Sequence, residues 1–165
     1  MKVYVDFDGV ILDTDSVIDM VFDGNGDRRE FVSNYDWFKL MKDDIIINDA
    51  LFFINKSSYD ISLLSKISSM CEGQAKVKFL RENGVCIDIN FVPTLINKCD
   101  VVNANGNVLI DDKIVNLDSW HKSGGISIFF NKDGIDTDIH GDRNILYPMI
   151  TNLSCLVNGF DNLIK

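Results

Sequence analysis

The stretch Val3-Tyr4-Val5-Asp6-Phe7-Asp8-Gly9-Val10 decides how this chain is read. A β-branched and aromatic run predicts a buried strand, and it closes on two aspartates one residue apart. Side chains alternate along a strand, so Asp6 and Asp8 would share one direction if the strand ran through them. Gly9 then allows a sharp turn where a ligand has to come close. At the carboxyl end of a parallel strand, such a pair stands where open α/β sheets bind their ligands. Two carboxylates this near repel each other, which a cation between them or unequal protonation would relieve. An acidic turn closing the first strand would use the same residue types, so the remainder of the chain has to separate the two readings.

Beyond this stretch, Asp15 or Ser16 can cap a helix carrying Val17, Ile18, Val21 and Phe22 at helical spacing, and Gly24-Asn25-Gly26 ends it. From Asp27 to Lys56 the pattern is mixed. Phe31, Tyr35, Trp37, Phe38, Leu40 and Met41 suggest short helices, whereas Ile45-Ile46-Ile47 and Leu51-Phe52-Phe53-Ile54 fit strand or buried helix. Residues 14–56 therefore read as a small, mainly helical cap inserted into a core domain made of residues 1–13 and 57–165.

Regular alternation resumes at Asp60-Ile61-Ser62-Leu63-Leu64, a strand ending at Ser65. Ser69 and Glu72 have capping-box spacing, and the helix they open carries Ala75, Val77, Phe79 and Leu80 up to Gly84. Val85 to Val92 is the next strand, stopped by Pro93, and Asp100 to Val102 reads as a further short one. Val108-Leu109-Ile110 runs into Asp111-Asp112, Ile114 to Lys122 forms a short helix closed by Gly124-Gly125, and Ile126 to Phe130 is another strand. Leu146, Met149, Ile150, Leu153, Leu156, Val157 and Phe160 recur at helical spacing with Pro148 in the first turn, which predicts a final helix. Strands alternating with helices predict an α/β fold, a doubly wound parallel sheet covered on both faces.

Composition narrows the function. The chain has 165 residues, enough for one core domain with a small insertion, and 46% of them are hydrophobic, too many for a disordered segment. Its formal net charge is −9, from 16 basic and 25 acidic residues, which argues against stable binding to nucleic-acid backbones. A phosphorylated small molecule remains compatible where a metal ion offsets the local charge. Cys71, Cys86, Cys99 and Cys155 show no C-x-x-C spacing, so they read as small buried thiols in a reducing compartment. The first strand begins almost at Met1 and no apolar run is long enough to span a bilayer, so a cytoplasmic protein without a membrane partner is expected.

Four features follow predicted strands or open helices: Asp6-x-Asp8-Gly9, Ser65, Lys98 and Asp111-Asp112. In a doubly wound sheet the carboxyl ends of the central strands converge on one crevice. Acidic pairs from two strands, a hydroxyl and an ammonium there make a site for Mg²⁺ and phosphate, because Mg²⁺ takes hard oxygen ligands and the cationic and hydroxyl donors suit phosphoryl oxygens. Lys76 is the fallback for the ammonium, although mid-helix lysines such as Lys76 and Lys78 are ordinarily solvated. His121 and His140 read as surface or turn residues, and the acidic run from Asp133 to Asp142 as a solvated loop.

This order of motifs resembles the haloacid dehalogenase superfamily of aspartate-nucleophile phosphatases. Its first motif is matched by Asp6-Phe7-Asp8-Gly9-Val10, its second by the strand ending in Ser65, its third by Lys98 and its fourth by Val108-Leu109-Ile110-Asp111-Asp112. Within it, Leu109-Ile110-Asp111-Asp112-Lys113 followed by Gly124-Gly125 and an apolar strand is similar to the 5′(3′)-deoxyribonucleotidase branch. Lys66 after Ser65, where a smaller residue is common, and Thr14, near where that branch often has a substrate-facing aromatic, depart from it.

The resemblance implies Asp6 as nucleophile and Asp8 as general acid and base. It implies Mg²⁺ held by Asp6, the Asp8 carbonyl and Asp112, with Asp111 behind, and Ser65 and Lys98 on the phosphoryl oxygens. The expected activity is hydrolysis of (deoxy)nucleoside 5′-monophosphates through an aspartyl-phosphate. The alternatives are another small phosphorylated metabolite, a polynucleotide end, or a non-catalytic Mg²⁺-binding regulatory domain. Phe31, Tyr35, Trp37 and Phe38 could stack on a base, with core packing the better expectation for each taken singly.

Overall fold

The computed structural model describes residues 1–134, 147–159 and 163. Its centre is β1 (Lys2–Val5), hydrogen-bonded in parallel on one side to β2 (Asp60–Ile67) and on the other to β4 (Val108–Asp111). The sheet extends outward through β3 (Asp88–Pro93) beyond β2 and through β5 (Ile126–Phe130) and β6 (Met149–Ile150) beyond β4. The strand order is β3-β2-β1-β4-β5-β6, all parallel, as the sequence predicts for a doubly wound fold. A strand with neighbours on both edges and helices on both faces has no solvent side, which is why β1 and β4 are apolar without alternation.

Alternate residues nevertheless serve different layers. Val3, Val5, Leu63, Val108, Ile110, Ile128 and Phe130 pack with Phe79 and Leu80 of α5 (Met70–Glu82) and with Leu156 of α7 (Cys155–Asn158). Tyr4, Leu64 and Leu109 face the other way onto Leu117 and Trp120 of α6 (Ile114–Lys122). Residues 14–56 are mainly helical: α1 (Thr14–Val21), α2 (Arg28–Asn34), α3 (Trp37–Leu40) and α4 (Ala50–Lys56). Their packing divides them. Ile18, Trp37 and Leu40 share a small cluster with Ala75 of α5, whereas Ile47, Ala50, Leu51 and Ile54 join the main core.

Several local expectations are corrected. The final apolar run is not one helix: Met149 and Ile150 pair with Phe129 and Phe130 as a strand, and among the described residues of the run only Cys155–Asn158 is helical. The spacing fits a helix because strand and helix turn their apolar residues onto one core, where Leu153 and Leu156 are buried. Leu146, Phe160, His140 and the acidic run beyond Gly134 lie outside the described residues.

Asp100 belongs to a single 3₁₀ turn, Lys98–Asp100, rather than to a strand. The third strand begins at Asp88, not Val85, because Gly84 (φ 72°) ends α5 in the left-handed region and Val85 N–H returns to the Leu80 carbonyl. The first helix starts at Thr14, ahead of Asp15 and Ser16. The second strand continues two residues past Ser65. Cys71 and Cys86 are exposed rather than buried, and Cys99 and Cys155 are half-buried. No described helix is long and apolar enough to cross a membrane.

Trp120 is fully buried, meets Tyr4 edge-on at 5.4 Å and donates its indole N–H to the Asn107 carbonyl at 3.1 Å. A Cβ on Gly125 would stand 2.2 Å from that nitrogen, so the chain needs glycine there. Trp120→Ala is expected to lower unfolding free energy by about 3–5 kcal/mol, read as a shifted midpoint in urea denaturation.

Candidate active site

Strand order reverses beside β1, between its chain-sequential neighbour β2 and the later β4, and the carboxyl ends of these strands open on a common crevice. Asp6 follows β1 directly, and its N–H still donates to the Ile110 carbonyl at 3.0 Å, so the sheet fixes its backbone. The strand itself stops at Val5, so a turn rather than the pleat positions Asp8. In that turn the Phe7 carbonyl accepts from Ile11 N–H (2.9 Å) and Leu12 N–H (3.1 Å). Gly9 (φ 74°) makes the turn possible, and a Cβ there would stand 2.4 Å from Asp112 Oδ2.

The residues singled out in the sequence come together here. Lys98, without exposed surface, bridges Asp6 Oδ1 (2.9 Å) and Asp111 Oδ2 (2.6 Å). Burial opposes its charge, but Asp111 and Asp6 outweigh that and hold the ammonium above its ordinary pKa. Asp6 Oδ1 also accepts from Phe7 N–H at 2.8 Å, so both of these donors are on one oxygen and Oδ2 is clear of them. Burial raises the Asp6 carboxyl above the usual range, against the pull of Lys98.

The two members of the late acidic pair differ. Asp111 is fully buried and has every direction occupied: Lys98, the Lys113 N–H at 2.8 Å, and the Asn116 amide at 3.1 Å to each oxygen. Asp112 gives Oδ2 to Lys113 at 2.8 Å, while its Oδ1 is buried without a hydrogen-bond partner. Burial, with Asp6 and Asp111 nearby, pushes the Asp112 carboxyl up to about 7 despite Lys113. Ligand oxygens of Asp6, Asp111 and Asp112 lie within 4.8 Å of one another. An orphaned buried carboxylate oxygen beside two other hard donors fits a Mg²⁺ ion, for which Asp112 is the member of the pair with a lone pair to give.

Asp8 and Ser65 stand on the other side. Asp8 Oδ1 accepts from the Thr14 hydroxyl at 2.8 Å, and Ser65 Oγ lies 3.4 Å from Oδ2. Lys76, expected as a solvated mid-helix residue, has no exposed surface and donates to Asp8 Oδ2, to Glu72 Oε1 (2.6 Å) and to Ser65 Oγ (3.0 Å). It is therefore part of the site together with Lys98, and the choice between the two lysines does not arise as the sequence posed it.

Thr14, Glu72, Lys113 and Asn116 are site residues that sequence reasoning missed. Glu72 and Lys76 stand one helical turn apart beside Ala75 and Phe79 on the buried face, and that spacing was the available signal. Among the aromatics of residues 14–56, Trp37 is buried and bonded to the Val32 carbonyl, as core packing requires. Phe31 and Tyr35 line an open hollow of about 380 Å³ with Asn25 and Asn34, and Phe38 is exposed.

No family model matches the chain, and no curated protein matches it. Solved structures do. D,D-heptose 1,7-bisphosphate phosphatase from Burkholderia thailandensis is 14% identical, with 99% of each chain covered and a TM-score of 0.60. A putative haloacid dehalogenase-like hydrolase from Burkholderia xenovorans LB400 is 12% identical over 99% of this chain and 98% of its own, at a TM-score of 0.62. D,D-heptose 1,7-bisphosphate phosphatase from B. bronchiseptica, complexed with magnesium and phosphate, is 15% identical over 96% of this chain and 97% of its own, at a TM-score of 0.57. At these identities the likeness establishes the fold: a haloacid dehalogenase-like α/β core.

Asp112 gives a pH-dependent expectation. Its folded pKa is raised, so ionising it costs the metal-free fold increasingly as pH climbs from the unfolded carboxyl range to about 7. Asp112→Asn should raise the melting temperature of the metal-free protein at pH 8, with the gain shrinking as pH falls toward 4, and should weaken Mg²⁺ binding in calorimetry.

Proposed function

We propose that this chain is a Mg²⁺-dependent phosphatase that hydrolyses (deoxy)nucleoside 5′-monophosphates through an aspartyl-phosphate. The observation that carries the reaction is Asp6: a buried carboxylate with one oxygen tied to Lys98 and Phe7 N–H and the other clear of those donors, grouped with Asp111 and Asp112 in a haloacid dehalogenase-like fold. The nucleotide substrate rests on the likeness of Leu109-Ile110-Asp111-Asp112-Lys113 and the following Gly-Gly strand to deoxyribonucleotidases. Four thiols with no disulfide suit a reducing, cytoplasmic setting.

Mg²⁺, when bound, would be held by Asp6, the Asp8 carbonyl and Asp112, braced by Asp111, and would supply charge compensation for the phosphoryl oxygens. Asp6 Oδ2 attacks phosphorus, and the electron pair of the breaking P–O bond goes to the nucleoside oxygen, which takes the proton of Asp8. In the second half, the Asp8 carboxylate takes a proton from water as its oxygen attacks phosphorus, and the Asp6–phosphorus bond breaks to return free carboxylate and orthophosphate. Lys98 meets only Asp6 and Asp111 among the described residues, so the third N–H of its ammonium suits a phosphoryl oxygen, with Ser65 opposite. We take α1 to α3 as the cap, because their apolar residues rest on Ala75 of α5 while α4 belongs to the main core.

The test is phosphate release from a panel of nucleoside monophosphates and sugar phosphates. Turnover concentrated on deoxynucleoside monophosphates, lost with EDTA and in Asp6→Asn, is the expected result. Equal or faster turnover of sugar phosphates would keep the phosphatase and remove the nucleotide assignment. Mg²⁺ binding without turnover of any substrate would remove the enzyme.

A further inference from the structure

We propose that Lys76, braced by Glu72, is a positioning residue that holds the Asp8 carboxyl where the leaving oxygen needs its proton; this rests on the phosphatase reading above. A lysine ammonium has three N–H bonds. Those of Lys76 face four acceptors: Asp8 Oδ2, Glu72 Oε1 at 2.6 Å, Ser65 Oγ at 3.0 Å and the Lys66 carbonyl at 3.3 Å. No donor is left for a substrate, in contrast to Lys98, which meets two carboxylates. Lys76 therefore acts through the groups it already grips.

What it grips is the carboxyl that must be aimed. Asp8 follows the end of β1 in a turn and keeps about a quarter of its side chain exposed (24%), so the sheet does not fix its orientation. Thr14 holds Oδ1 and Lys76 holds Oδ2, and together they define the carboxyl plane. Glu72 makes the arrangement rigid. It is nearly buried, accepts from Ser68 N–H at 2.7 Å as well as from Lys76, and anchors the ammonium to the first turn of α5. The rings of Phe7 (5.2 Å) and Trp37 (5.4 Å) flank the same ammonium and keep water from it. Such a brace serves the step in which Asp8 protonates the leaving oxygen, and it is idle when the leaving group departs without help.

The experiment compares two substrates: p-nitrophenyl phosphate, whose leaving group needs no proton, and the alkyl phosphate the wild-type chain turns over best. The variant is Lys76→Met with Glu72→Gln, which removes the buried pair together and leaves no lone buried charge between them. Against the alkyl phosphate kcat should fall by about 10²-fold or more with KM little changed, and against p-nitrophenyl phosphate by less than about tenfold. Asp8→Asn, measured alongside, should show the same imbalance.

Equal losses on both substrates, a loss confined to KM, or no loss would overturn the inference. Should the double variant lack a cooperative melt, Glu72→Gln alone, which removes the charged brace on Lys76, is read for the same imbalance between the two substrates. A wild-type chain inactive on both substrates, or full activity in Asp6→Asn, would overturn the phosphatase reading and the inference with it. A normal wild type and a dead Asp6→Asn beside a balanced loss would overturn the inference alone.

Discussion

Lys98 and Lys76 are charged and have no exposed surface, and the carboxyl edge of the sheet depends on them. Asp6, Asp8, Asp111, Asp112 and Glu72 crowd into one region, and carboxylates so placed would repel one another without counter-charge. Lys98 ties Asp6 to Asp111, joining the ends of β1 and β4. Lys76 ties Asp8 to Glu72, joining the turn after β1 to α5. Removing either lysine would leave buried carboxylates unpaired, a change that ordinarily costs more than the intact pair contributes. The two bridges therefore set the geometry of the site as well as its charge.

The sheet explains why the bridges are possible. β1 lies between β2 and β4 in space although residues 6–59 separate it from β2 in the chain, so Ser65 and Asp111 arrive on either side of Asp6. Backbone hydrogen bonds fix these arrivals, and segments beyond the strands supply Asp8, Lys98 and Asp112. The loop elements are pinned in turn. The Asp8 turn closes on the Phe7 carbonyl and needs Gly9, and Lys98 opens a 3₁₀ turn whose carbonyl accepts from Val101 N–H at 3.2 Å.

What the sequence made legible follows the same division. Asp6, Ser65 and Asp111 could be read because a polar residue closing a short apolar run is a local signal. Lys76 could not be read that way. Its burial depends on Asp8, 68 positions away, and on Trp37 from α3, and mid-helix position alone pointed to solvent. The last segment misled for a related reason. Met149, Ile150, Leu153 and Leu156 have helical spacing, but pairing to Phe129 and Phe130 claims the first two for the sheet, and a two-residue strand has no period of its own. The resemblance already implied Asp112 ahead of Asp111 as the metal ligand, and their surroundings supply a physical reason for the difference. Asn116, one turn into α6, saturates the first and leaves the second with an unpartnered oxygen.

That unpartnered oxygen shows how the fold accommodates chemistry. A carboxylate oxygen buried without a donor is unfavourable, and the described residues around it offer none: the Asn116 amide is spent on Asp111, and Lys113 is placed on the opposite oxygen. Relief by rearrangement is also restricted, because Gly9 lies against the Asp112 carboxylate and the Asp6–Lys98–Asp111 bridge fixes the backbone before it. A site evolved for packing alone would place an amide or an apolar side chain here. A site that retains an ionisable, under-coordinated oxygen beside Asp6 maintains a local instability that a hard divalent cation would remove. Stability of the metal-free chain and the proposed binding of a cation therefore oppose each other at Asp112, and the two buried lysines hold the rest of the acidic cluster together.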